Sequence, residues 1–248
     1  MLRSCDAVVS GSSALHILLP LKFTSWVPAD LNIYVPSLHY HYLYVLLEIH
    51  GYHKIREGKE NVSPYTFSLI RTVTTFVNGN QQIDVIVSKN AGGISPIFQF
   101  HSSMVMNFFG PNHFFCAYPA LTLNLLMKIN PGPLYFDRFR CCTLDTLLKY
   151  ADCGFCYTSC NSCHLSKYTC KSVVHSLTDG GSMWIDLNNF PCVSTTPLDL
   201  FQHYRFLDIH WVLGGMVCGS KSAFIDAHIH VVEDHSCETL RFCQGLKH

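Results

Sequence analysis

The chain has 248 residues, 48% of them hydrophobic, with 17 basic and 17 acidic side chains. That length and apolar fraction supply the core of one large domain, or of one domain with an appendage, while a formal net charge of zero with no Lys/Arg cluster excludes a strong nucleic-acid surface. Charged residues are only 14%, against about 25% in typical globular chains, which points to limited solubility or to a surface that needs partners.

The first residues carry Arg3 and Asp6, and their apolar run is broken at 10–13, at His16 and at Pro20, a poor match to a secretory leader. Residues 6–9 read as a short buried strand, 10–13 as a turn, and 14–19 as a helix limited by Pro20. Residues 30–35 alternate, with Asp30, Asn32 and Tyr34 on one face and Leu31, Ile33 and Val35 on the other. Pro36-Ser37 stops that strand, and 38–49 is apolar and aromatic at helical length. Residues 54–64 are the most polar stretch and read as an exposed loop.

Residues 72–77 and 81–88, joined by Asn78-Gly79-Asn80, form a hairpin signal whose second strand carries Asp84. The apolar stretch 97–109 reads as a helix ended by Gly110-Pro111. Pro131-Gly132-Pro133 marks a boundary between a core at 1–130 and an extension at 131–248, and 143–151 reads as a helix. Two late segments, 206–213 and 224–232, alternate as a half-exposed β pair. No run reaches the roughly 20 apolar residues of a membrane helix.

The chemistry concentrates in three polar positions. Asp30 and Asn32 share a strand face, and Asp84 lies on a strand able to neighbour theirs. Such a group is suited to Mg2+, which neutralises a triphosphate and aligns attacking and leaving oxygens. Gly11 lets backbone approach a phosphate, and Ser12 adds a hydroxyl where free N–H groups favour anions. The plain alternative is that Asp30 caps a turn after Pro28 and Asp84 faces solvent on a hairpin.

The pattern Gly11-Ser12, Asp30-x-Asn32 and Asp84 resembles the polymerase-β-like nucleotidyltransferase superfamily. More narrowly, the chain is similar to fungal proteins of that type. The likeness extends over roughly residues 6–187 through 103–108, 118–122 and 149–155. The resemblance implies an α/β (α+β) fold, a small mixed sheet flanked by helices, with a C-terminal helical and β extension. It implies Asp30 and Asp84 as catalytic residues, Gly11 and Ser12 as the phosphate cradle, Asp30, Asn32 and Asp84 as metal ligands, Mg2+ as cofactor, and an NTP as substrate. The reaction implied is transfer of a nucleotidyl group to a hydroxyl acceptor that the sequence does not identify. Two positions depart from the family. Asn32 stands where it has a second metal-binding Asp, and Cys153 stands where an Arg is expected. One missing charge at about 4 Å is worth roughly 4 kcal/mol at an effective dielectric near 20, an upper figure close to three decades in binding. Asn32 therefore favours an alternative, a binding protein that keeps the fold without the chemistry.

Thirteen cysteines do not make a disulfide scaffold in a chain with its own core, and the odd count leaves one over; a reducing, intracellular (cytoplasmic) location is expected. Cys153, Cys156, Cys160 and Cys163, beside His164 and Cys170, would line one face if helical, as small apolar residues. Their spacing is too tight for paired zinc knuckles, so zinc is not expected, and a cysteine-built metal module stands as a third alternative. Asp226-x-His228-x-His230 reads as an edge strand, because only eighteen residues follow it and no barrel can form around it.

Overall fold

The computed structural model describes residues 1–58, 68–131, 141–159, 167–188, 207–216, 224–225 and 227–233. Strands β1 (Val8–Ser10) and β2 (Leu31–Val35) are antiparallel neighbours joined through helix α1 (Ser12–Leu18). Helix α2 (Tyr40–Ile49) then leads to β3 (His53–Gly58), β4 (Ile70–Asn78) and β5 (Gln81–Ser88). The hairpin closes with Asn78 opposite Gln81, so its two loop residues are Gly79 and Asn80. Strand β5 returns beside β2 in parallel register, Leu31 with Ile83 through Val35 with Val87.

On the other flank, β6 (Asn107–Phe109) pairs with β1, β7 (His113–Cys116) pairs with β6, and β11 (Met183–Asp186) pairs with β7. The result is an eight-stranded sheet in the order β11-β7-β6-β1-β2-β5-β4-β3, antiparallel except at β2–β5. The class is mixed α and β, as the sequence indicates, but the sheet is large rather than small, and helices are few among the described residues.

Apolar residues fill both faces of the central strands. Val8, Tyr34 and Ile86 point into one core with Phe98, Phe108 and Phe115. Val9, Ile33, Val35, Val85 and Val87 point into the other, closed by Leu43 and Leu47 of α2. A third cluster packs Leu15 and Leu19 against Met104, Met127, Leu147, Tyr150 and Phe155. Leu147 and Tyr150 belong to helix α4 (Cys141–Asp152), which follows the short helix α3 (Pro119–Thr122) and strand β8 (Leu126–Met127).

Two expectations are corrected. Residues 97–109 are not a helix but two 3-10 turns, Ser95–Gln99 and Ser103–Val105, followed by β6. Pairing of β6 with both β1 and β7 overrides the apolar periodicity, and buried polar groups fix the turns. Asn107 donates to the Met104 carbonyl at 2.5 Å, and the Ser103 hydroxyl accepts the Lys128 N–H at 3.0 Å. The polar stretch at 54–64 is not a loop at its start, because 54–58 lie in edge strand β3; its charged, exposed residues suit a sheet edge. Residues 59–64 lie outside the described residues.

Beyond 131, a second sheet forms from β10 (His175–Ser176), β12 (Leu207–Val212) and β15 (His228–Glu233), all antiparallel. Its alternation is as the sequence indicates, with Ile209 and Trp211 buried and His228 and His230 exposed. Strands β9 (Cys156–Tyr157), β13 (Gly215–Met216) and β14 (Phe224–Ile225) are two-residue pairings. No helix among the described residues is long and apolar enough to cross a membrane.

Trp211 joins the second sheet to the first core. Its ring stacks on Phe98 at 4.2 Å and on His175 at 5.5 Å, and its indole N–H donates to the Tyr118 hydroxyl at 2.9 Å. Trp211→Ala is expected to lower unfolding free energy by about 3–5 kcal/mol, with Trp211→Phe retaining most of it. Urea unfolding checks this; a loss below about 1 kcal/mol would contradict a sealing role for β12.

Candidate functional site

A polar row crosses the sheet where β1 ends and β2 begins. Ser10 of β1 is in register with Asn32, Asn32 with Asp84 of β5, Asp84 with Thr75 of β4, and Thr75 with Arg56 of β3. Registered partners share a face of the sheet, so Ser10, Asn32, Asp84 and Thr75 stand side by side. The row lies one pleat from Val8, Tyr34 and Ile86, at the margin of the first core.

Each member is held differently. Ser10 is fully buried and donates to the Asn107 carbonyl at 2.5 Å. Asn32, half-buried, donates its amide N–H to Asp30 Oδ2 at 3.1 Å. Asp84 Oδ2 accepts from the Gln82 amide at 3.2 Å, whereas Asp84 Oδ1 is enclosed and has no hydrogen-bond partner. An enclosed carboxylate oxygen without a donor is costly unless a cation or water completes it.

Gly11 makes the approach to this row possible. Its φ of 74° and ψ of −148° belong to a region open essentially only to glycine. A Cβ there would also come within 3.3 Å of Asn32 Nδ2. Ser12 is 5% exposed, so its hydroxyl meets only a group that enters the turn itself. Ser13 donates to the Asp30 carbonyl at 2.9 Å and ties the first turn of α1 to the entry of β2. The structure thus brings Gly11, Ser12, Asp30, Asn32 and Asp84 into one neighbourhood.

The Tyr34 and Tyr150 rings flank the acidic residues, and Phe100 and the His101 imidazole pack between these two tyrosines; the sequence reading does not single out Tyr150 or His101 as site residues. Tyr34 meets Phe100 edge-on at 6.1 Å, Phe100 meets His101 at 6.3 Å, and His101 lies 6.1 Å from Tyr150 of α4. Burial chiefly raises the Tyr34 hydroxyl pKa, with further contributions from Tyr150, Asp30 and Asp84. Burial and then the Asp30 charge raise that of Tyr150. Both phenols therefore stay protonated beside the carboxylates. Tyr150 sits in a helix the sequence does indicate, but only the fold brings that helix to Asp30. His101 was hidden inside the stretch misread as helical.

Cys153 and Cys156 do not share a helical face. Helix α4 ends at Asp152, and Gly154 (φ 94°) reverses the chain: its N–H bonds the Ala151 carbonyl, and that of Phe155 bonds the Tyr150 carbonyl. Cys153 lies at this cap and Cys156 is exposed on β9, paired with Leu126 of β8. Cys160, Cys163, His164 and Asp226 lie outside the described residues. Among the described residues, no group of three or more His, Cys, Asp or Glu is disposed to hold a metal ion; the candidate site offers two carboxylates and an amide. Comparison with protein-family models, curated proteins and solved structures finds no match to this chain.

His101 gives the neighbourhood a pH signature. Burial lowers its pKa from 6.5 to about 4, and its Nδ1 is enclosed without a partner. Between those values the unfolded chain binds a proton that the folded chain refuses. Its contribution is therefore intact above pH 6.5 and lost as pH falls toward 4, by about 3 kcal/mol. Thermal melts across this window are expected to show a steeper acid loss for the natural protein than for His101→Gln. Parallel profiles would contradict the assignment.

Proposed function

We propose that this chain is a divergent nucleotidyltransferase-like protein that binds an NTP with Mg2+ at the Gly11, Asp30, Asn32 and Asp84 site. The observation that carries the reading is the in-register adjacency of Asn32 and Asp84 on parallel strands, with the Asp84 Oδ1 atom enclosed and unpartnered. Asp30, Asn32 and Asp84 would hold the ion, whose chemistry is to neutralise triphosphate charge and align the reacting oxygens. Two carboxylates and one amide suit a single hard cation better than a pair.

The chain's own residues have separable roles in this reading. Gly11 leaves room for phosphate against backbone, with Ser12 beside it. Asp84 is the group suited to take the proton of an acceptor hydroxyl. Tyr34 and Tyr150, held protonated, leave the carboxylates as the anions of the site.

One observation favours binding without transfer. The Asn32 amide donates to Asp30 and so satisfies a carboxylate that a second Asp would repel. The site thereby gains stability without an ion and loses a charge that would hold one.

Calorimetry of Mg2+–NTP binding on the natural protein and on Asn32→Asp tests the reading. Both are expected to bind, the variant about tenfold or more tightly, within the roughly three decades that one charge allows. Without Mg2+, Asn32→Asp is expected to be less stable by about 1–3 kcal/mol, and Mg2+ should restore it. Binding by neither protein, with both folded, would overturn the enzyme and nucleotide readings together.

A further inference from the structure

Helix α2 buries one side of itself and leaves an apolar stripe on the other. Leu43 and Leu47 are fully buried on the sheet. On the outer side, Leu38 is 71%, Tyr42 52%, Val45 50% and Ile49 72% exposed. Leu38 lies in the turn entering the helix and the other three lie within it, at steps of four, three and four residues. That is the spacing of a helix–helix seam. Apolar character on both sides of a helix belongs to elements covered on both sides. The chain's charge content of 14% points the same way.

We propose that the α2 stripe is the contact surface of a two-fold dimer of this chain, with α2 lying antiparallel against its copy. The stripe complements itself under a two-fold axis between Tyr42 and Val45. Tyr42 of one copy then faces Val45 of the other, and Leu38 faces Ile49. Each large side chain thus meets a smaller one or one of its own size, as close packing requires.

Hydrogen-bonding groups complement the same arrangement. His41 and Glu48, both exposed, lie seven residues apart along one flank of the stripe. A two-fold axis perpendicular to the plane of the antiparallel helices keeps like flanks together and reverses direction. Glu48 of each copy then comes beside His41 of the other. A parallel pairing, whose two-fold axis runs along the helices, would instead put the His41 and Glu48 flanks of the two copies on opposite sides of the seam.

The area is consistent with a weak but specific pair. Covering an apolar side chain removes on the order of 100 Å2, so eight of them give roughly 800 Å2. The flanking His41 and Glu48 carry the total toward the ~1,000 Å2 at the lower limit of specific interfaces. Leu43 and Leu47 share a cluster with Ile33 and Val35, whereas Tyr34, two residues from Asn32, lies in the other core. The dimer surface is thus on the sheet face opposite the candidate site, and the inference does not depend on the nucleotide reading.

Sedimentation equilibrium of the full chain, from low to high micromolar concentration, tests it. The natural protein is expected to show a reversible monomer–dimer equilibrium. Val45→Glu, with an unchanged circular dichroism spectrum, is expected to weaken it at least tenfold, and Tyr42→Lys serves if Val45→Glu fails to fold. Glu48→Lys is expected to weaken the dimer several-fold, and adding His41→Glu to restore it. Val174→Glu, at a residue 61% exposed outside the stripe, should leave the dimer intact. A monomer throughout the range would overturn the inference and leave the face to a different partner. Dimerisation of folded Val45→Glu or Tyr42→Lys as strong as that of the natural protein, or equal disruption by Val174→Glu, would also overturn it.

Discussion

The parallel pairing of β2 with β5 is the constraint on which the molecule turns. It is the one parallel contact in the eight-stranded sheet, and it joins the β1–α1–β2 segment to the β3–β4–β5 meander. A slip of one residue would exchange the two faces of a strand. Here both faces resist it, because Tyr34 and Ile86 fill one core while Ile33, Val35, Val85 and Val87 fill the other. The register that buries these six residues also sets Asn32 beside Asp84. Apolar packing therefore fixes the geometry of the polar row, and the row itself need contribute little to stability.

The local electrostatics follow from enclosure. Asp30 is relieved by the Asn32 amide, Asp84 by Gln82 on one oxygen only, and the neighbouring phenols and imidazole are held neutral by burial. With an amide rather than a carboxylate at residue 32, the group is partly satisfied without a cation. The proposed binding without transfer and the local hydrogen bonding both follow from this side chain.

Much of this was legible in the sequence, and the failures have physical causes. The alternation of residues 31–35 and the Asn-Gly hairpin are local signals found at their expected places, whereas the turn expected over 10–13 narrows to Gly11, with Ser10 ending β1 and Ser12 opening α1. The stretch 97–109 was misread because apolar runs do not distinguish a buried helix from buried turns and a central strand; long-range pairing with β1 and β7 decides. The polar segment at 54–58 was misread because a charged edge strand resembles a loop. Tyr150 and His101 were invisible as site residues because only the fold brings Tyr150 of α4 toward Asp30 and sets His101 against the Tyr150 ring. Cys153 and Cys156 fail as a helical pair because Gly154 ends the helix between them.

The central claim is that the unpartnered oxygen of Asp84, beside Asn32, marks a cation site. Manganese in place of magnesium, with a non-hydrolysable NTP, would make that site visible by anomalous scattering in a crystal. The account predicts a peak at ligand distance from Asp84 Oδ1, with the Asn32 carboxamide oxygen alongside, and its disappearance in Asp84→Asn. A well-ordered crystal with no peak there, or with one only among the cysteines near Cys153, would contradict it.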